Sequence, residues 1–173
     1  MEQVILVDQQ DNAIGNMEKM EAHRKGLLHR AFSVLIFNTK GEMLIHQRAR
    51  GKYHSGGLWT NACCSHPWPG EKMEDAVKRR LKFEMGFETE MQFVYKFTYQ
   101  TSFSSDLHEH EVDHVFIGTY DDAPEPNPAE VEAWKYISLK EVQKDILKKP
   151  ELYTSWFKLI MDHDFIRERM TKA

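Results

Sequence analysis

Residues 71–86 read EKMEDAVKRRLKFEMG, and the reading of the whole chain turns on them. Met73, Ala76, Val77, Leu81 and Phe83 recur at a spacing that puts them mostly on one face of a helix, and Gly86 stands where a C-terminal cap belongs. The other face carries Lys, Arg and Glu. Such a face either meets solvent or presents carboxylates to a cation, and the helix alone leaves both readings open. Just upstream, WTNACCSHPWPGE (residues 59–71) holds both cysteines of the chain in adjacent positions. Neighbouring cysteines close no useful loop and would strain a disulfide. The pair therefore reads as a metal site or a reactive thiol.

The bulk numbers narrow the classes. A chain of 173 residues with 41% apolar and 29% charged residues is expected to form one domain, residues 1–173, around a sizeable core. A net charge of -4 gives no basic excess, so no nucleic-acid partner is expected. The segment MEQVILVDQQDNAIG reads as a strand and turn rather than a signal peptide. No apolar run approaches the roughly 20 residues of a membrane span, so no membrane partner is expected. Two cysteines without a secretion signal point to a reducing, cytoplasmic setting. Nine histidines are many for this length.

Strands are expected at Val4–Val7, His29–Asn38, Met43–Arg48, Gln92–Phe103, Val112–Tyr120 and Ala133–Ile137. The polar stretch Asn16–Leu28 tolerates a helix broken near Gly26. Arg50–Pro69, rich in Gly, Lys, His and Pro, reads as a long functional loop. Ser138 and Glu141 form a capping-box pattern for a helix that Pro150 ends, and Tyr153–Arg169 is expected as one last amphipathic helix. Without regular βαβ alternation, the class is α+β, a mixed sheet flanked by helices.

The chemistry-bearing residues lie in several segments. Glu109 and Glu111 in DLHEHEVDHVF share one face of a strand. Two carboxylates so close call for a cation or a shared proton, unless they form an exposed acidic edge. His108, His110 and His114 take the opposite face. His23, His29 and His66 each read as ordinary surface or core histidines on their own. Converging on Glu109 and Glu111, they would make a His3Glu2 set suited to Mn²⁺, Mg²⁺ or Zn²⁺.

The spacing from Ser65 to Gly86 resembles the Nudix signature, whose helix carboxylates hold a divalent cation against a diphosphate. The match is degenerate: Ser65, Arg80 and Phe83 stand where that signature has Gly and two acids. The missing acids argue against ordinary Nudix hydrolysis. EKMEAH, TNACCSHPWPGE, RRLKFEMG and HEHEV, in that order and spacing, resemble the type I isopentenyl-diphosphate isomerase family, which has a Nudix-like fold, over roughly residues 3 to 165.

The resemblance implies a divalent-metal-dependent isomerase that interconverts isopentenyl and dimethylallyl diphosphate through a tertiary carbocation, in isoprenoid precursor biosynthesis. It implies Cys64 and Glu111 as the proton-transfer pair, with Tyr99 hydrogen-bonded to the glutamate. Lys19, Arg48, Lys52 and Arg80 would serve the diphosphate, and Trp156 would cover the hydrocarbon tail. Mn²⁺ or Mg²⁺, or Zn²⁺, would sit on His23, His29, His66, Glu109 and Glu111. A second Mg²⁺ would join the diphosphate to Glu84 and the Cys64 carbonyl. Cys63 would be a small packed neighbour of the working thiol. The His23–His29 interval is one residue tighter than the family pattern. The partner implied is a small-molecule substrate, with monomer or homodimer left open. A nucleoside-diphosphate-type hydrolase and a non-catalytic binding module are the alternatives.

Overall fold

The computed structural model describes residues 1–172. Its central strand is β3 (His29–Phe37), flanked by β1 (Gln3–Val7), β2 (Ala13–Glu18) and β4 (Met43–Arg48). The remaining strands are β5 (Trp59–Thr60), β6 (Cys63–Ser65), β7 (Met91–Ser104), β8 (Leu107–Thr119) and β9 (Val131–Ile137). The helices are α1 (Lys19–Lys25), α2 (Met73–Met85), α3 (Leu139–Lys148), α4 (Ser155–Asp162) and α5 (Asp164–Lys172). β3 pairs parallel with β8 and antiparallel with β1, β4 and β6, so the sheet is mixed and the class α+β, as expected. None of the described helices is long and apolar enough to cross a membrane.

Period-2 alternation in β3 sorts the core into two layers. Phe32, Val34 and Ile36 pack with Leu44 of β4 against Ala76, Val77, Leu81 and Met85 of α2. Leu35 and Phe37 turn the other way, with Met43 and Ile45, onto Leu139 and Val142 of α3, Phe157 and Ile160 of α4 and Ile166 of α5. Every apolar side chain of β3 is thereby buried, which explains why the strand reads as one continuous apolar run.

Three expectations need correction. Phe83 does not join the buried face of α2: it is 51% exposed beside Arg80, while Glu84 and Met85 turn inward. The last amphipathic segment is two helices, because His163 leaves helical geometry (φ −74°, ψ 147°). The strand expected to begin at Val112 begins at Leu107, since β7 and β8 form one long hairpin that pairs residues far outside the apolar stretch. The long loop also contains the short strands β5 and β6. The Ser138–Glu141 capping box is formed in both directions. Gly86 caps α2 in left-handed geometry (φ +78°), and a Cβ there would meet the Glu125 carbonyl oxygen at 2.2 Å. Only glycine satisfies both demands.

His46 of β4 is 3% exposed, and burial lowers its pKa to about 3. The unfolded chain therefore takes up this proton first as pH falls. The contribution to stability is complete above about pH 6.5 and is lost toward pH 3. A His46→Gln variant should shed about 2 kcal/mol of whatever stability the protein loses between pH 7 and pH 5, measured by urea unfolding at both values. Equal losses in the two proteins would contradict this.

Candidate active site

Strand register assembles the site. His29 of β3 lies opposite Glu111 of β8, and Tyr99 of β7 lies opposite the same Glu111 from the other side. Glu109, two residues earlier on β8, projects from the same face. Ser33 of β3 faces Cys64 of β6 in the antiparallel pair. His23 arrives from α1, which Gly26 ends in left-handed geometry and so turns the chain back toward β3 within the tight His23–His29 interval.

His23, His29, His66 and Glu111 offer donor atoms that all lie within 4.8 Å of one another, and every one of these residues is buried. His66 Nε2 stands 2.9 Å, and His29 Nε2 3.3 Å, from Glu111 Oε1. The ring tautomers are fixed from behind: Nδ1 of His23 meets the Lys19 carbonyl oxygen at 2.6 Å and Nδ1 of His29 meets that of Leu27 at 2.8 Å. Each Nε2 is thereby turned inward, and both are buried without a hydrogen-bond partner. Buried ring nitrogens converging on buried carboxylates fit a divalent cation of the Mn²⁺, Mg²⁺ or Zn²⁺ kind.

The carboxylates are tied from the far side. Tyr99 Oη contacts Oε2 of Glu109 at 2.7 Å and Oε2 of Glu111 at 2.8 Å, yet a phenol has one proton to donate. Burial alone would raise the Glu111 pKa, but the His29 and His66 rings outweigh it and hold this carboxyl well below the usual range. Burial lowers His66 to about 4, and burial with the His29 charge lowers His23 to about 4. Burial also opposes charge on His29, where attraction to Glu111 prevails and raises the pKa. Burial and the neighbouring carboxylates push Tyr99 up, so the phenol keeps its proton.

Cys64 lines the same cavity, of about 40 Å³, as Glu111, Tyr99, Arg48 and Trp156. Its Sγ donates to Asn61 Oδ1 at 3.1 Å, accepts from Trp156 Nε1 at 3.0 Å and lies 3.5 Å from Ser33 Oγ. Burial raises its pKa, which keeps it a thiol. Ser33 in turn donates to the buried Asp113 at 2.7 Å. Cys63 points the other way, fully buried in the layer against α2.

The basic residues divide. Arg48 is buried at the cavity, its guanidinium 5.2 Å from the Trp156 ring centroid. Arg80 and Lys52 form a separate cluster: Arg80 pairs with Glu84 at 2.8 Å and Glu130 at 3.2 Å, and Lys52 pairs with Glu130. Glu84 is thus held by Arg80, outside the histidine cluster. Lys19 stands apart on Glu2 at 3.0 Å. On the far face of β8, His108, His110 and His114 go to Ser102, the Gly26 carbonyl and Asp11 respectively, and do not converge.

Sequence reasoning missed Asn61, Ser33, Asp113, Tyr53 and His54. Asn61 is fully buried and donates to the carbonyls of Val34 and Cys63 at 3.0 and 2.9 Å while accepting from Cys64. Its place inside TNACCSHP was the available signal, because a polar residue between two strands that must pair has backbone groups to satisfy.

The NUDIX domain family matches residues 27–157. The isopentenyl-diphosphate Delta-isomerase 2 of Aromatoleum aromaticum is 48% identical over 161 residues, covering 93% of this chain and 85% of that protein. The chain belongs to the isopentenyl-diphosphate isomerase family of Nudix proteins. The isopentenyl-diphosphate Delta-isomerase of Serratia proteamaculans is also 48% identical, over 92% of this chain and 89% of its own length. Among solved structures, DR0079 of Deinococcus radiodurans superposes with a TM-score of 0.72 at 19% identity, covering 85% of this chain and 90% of that one. The MutT protein of Methanosarcina mazei gives 0.66 at 18%, over 84% and 94%. At such identities these two speak for the fold alone. Within this isomerase family the degenerate Nudix helix makes sense: Arg80 takes the place of an acid and neutralises Glu84.

Two outcomes are expected. Asn61→Ala should cost about 2–3 kcal/mol in urea unfolding, because it leaves buried carbonyls unpaired; a cost below about 0.5 kcal/mol would contradict this role. Saturating Mn²⁺ should raise the melting temperature of chelator-treated protein, with about 2.7 kcal/mol of stabilisation at 100 times the Kd. An unchanged melting temperature would mean that the histidine cluster holds no ion.

Proposed function

We propose that the protein interconverts isopentenyl and dimethylallyl diphosphate, moving one double bond by protonation and deprotonation, with Cys64 and Glu111 as the transfer pair. The observation that carries this reading is one small cavity lined by both the Cys64 thiol and the Glu111 carboxylate. Isomerisation requires a proton to be added at one end of an alkene and another removed from an allylic position. One group gives and the other takes, and the roles exchange in the reverse direction. The names of these relatives and their extensive identity to this chain support the substrate.

The passage runs through a tertiary carbocation. Trp156 would lie along the hydrocarbon tail, where its ring face can stabilise positive charge, while its Nε1–H orients Cys64. Tyr99 would hold Glu111 and supply its phenol proton to whichever carboxylate is charged. A divalent cation on His23, His29, His66, Glu109 and Glu111, of the Mn²⁺, Mg²⁺ or Zn²⁺ class, would supply positive charge that fixes and neutralises the paired carboxylates. Arg48, Lys52, Arg80 and Lys19 would serve the diphosphate, and Glu84 and the Cys64 carbonyl would hold the Mg²⁺ that accompanies it. Guanidinium forks suit phosphate oxygens.

The cavity of about 40 Å³ is small for a five-carbon tail, and entry of the tail would be eased by movement of a wall. The segment 49–58, carrying Lys52, Tyr53 and His54, is the wall without regular secondary structure.

Metal-loaded protein given isopentenyl diphosphate should yield dimethylallyl diphosphate without releasing phosphate. Cys64→Ala and Glu111→Gln should each lose about a thousandfold or more in turnover. Cys63→Ala should keep most of it. Phosphate release would make the reaction hydrolysis, and an active Cys64→Ala beside an inactive Cys63→Ala would move the role to the other thiol.

A further inference from the structure

His54 belongs to none of the motifs that identified the site, and it lies in a loop rather than on a sheet or helix. It is nonetheless 7% exposed, and its Nε2 stands 2.9 Å from Glu109 Oε1. That contact lacks hydrogen-bond alignment: the buried Nε2 has no hydrogen-bond partner, as is also true of Nε2 in His23 and His29. The ring is held rigidly. It stacks on Phe103 with centroids 4.2 Å apart and planes 6° apart, meets Tyr53 and Trp156 edge-on, and its Nδ1 lies 3.1 Å from Ser55 Oγ.

The two carboxylates are treated alike. Each gives Oε2 to Tyr99. Glu111 turns Oε1 to His29 and His66, and Glu109 turns Oε1 to His54. Donor atoms of His23, His54 and Glu109 also converge within 4.8 Å, so His23 belongs to both convergent groups and links them. One histidine nitrogen serves one ion, which makes a single ion between the groups the simpler arrangement.

We propose that His54 is a fourth imidazole ligand of the divalent cation, making the side-chain set His23, His29, His54, His66, Glu109 and Glu111. Six nitrogen and oxygen donors are enough to complete the shell of a six-coordinate ion without a water. A nitrogen-rich set of this kind prefers transition metals to Mg²⁺. It also ties the loop that walls the cavity to the metal, so loading the ion and closing the loop become one event. This inference rests on the metal centre in the functional reading above.

The test loads ¹⁵N-histidine-labelled protein with one equivalent of ¹¹³Cd²⁺ and counts the imidazole nitrogens split by one-bond coupling to cadmium. Four are expected in the wild type and three in His54→Phe, whose ring keeps the stack on Phe103. The variant should bind Mn²⁺ at least about 100-fold more weakly by competition titration, the upper end of what losing an outer partner costs. Three split nitrogens in the wild type would overturn the proposal whether or not the variant folds. A weaker affinity with three split nitrogens in both proteins would do the same, leaving His54 to position Glu109 from outside. No split nitrogen at all would remove the metal centre itself, and not only His54 from it.

Discussion

Glu109 and Glu111 are each 5% exposed, sit on one face of one strand and meet a single phenol proton. Two negative charges cannot rest bare in a low-dielectric interior, so the rest of the site is a response to them. Tyr99 ties one oxygen of each. The imidazoles of His29, His54 and His66 meet the others, and the bare Nε2 of His23 faces the same space. A divalent cation on the facing imidazole nitrogens would answer the charge of the two carboxylates. Fold and chemistry are linked there, because the β3–β8 and β7–β8 registers that bring His29 and Tyr99 to Glu111 are the ones that close the core.

The thiol side is built on the opposite principle. Cys64 is surrounded by neutral groups, the Asn61 amide, the Trp156 indole and the Ser33 hydroxyl, and burial keeps its proton on. One wall of the cavity holds a proton while the other holds a carboxylate stripped of one. Helix α2 lacks two of the acids that the Nudix signature carries. Here Arg80 occupies one of those places, pairing with Glu84, and Phe83 occupies another and faces solvent. The cavity that Cys64 and Glu111 share lies instead on the sheet, at the level of β3, β6 and β8.

Much of this was legible in the sequence. The strand pair Glu109–Glu111, the Cys-x-His order and the capped helix are local patterns, and local patterns survive without coordinates. Phe83 misled because helical periodicity alone does not say how wide a buried stripe is, and α2 rotates Glu84 and Met85 inward instead. The break at His163 carries no Gly or Pro to announce it. His54 and Asp113 were invisible for a different reason: one sits in an irregular loop, the other two residues beyond a recognised motif, and only tertiary contact gives either a role. Asn61 lay in plain view, but its task, satisfying backbone groups between β3 and β6, emerges only once those strands are paired.

On the proposed function, Cys64 and Glu111 move protons at the two ends of one allylic system without redox or hydrolysis. Following isopentenyl diphosphate by NMR in D₂O with metal-loaded protein tests it most directly. The account predicts dimethylallyl diphosphate carrying deuterium in the methyl group formed from the alkene terminus, with the diphosphate intact. Product formed without solvent deuterium would contradict proton exchange through these two side chains, and phosphate in place of product would contradict the isomerase itself.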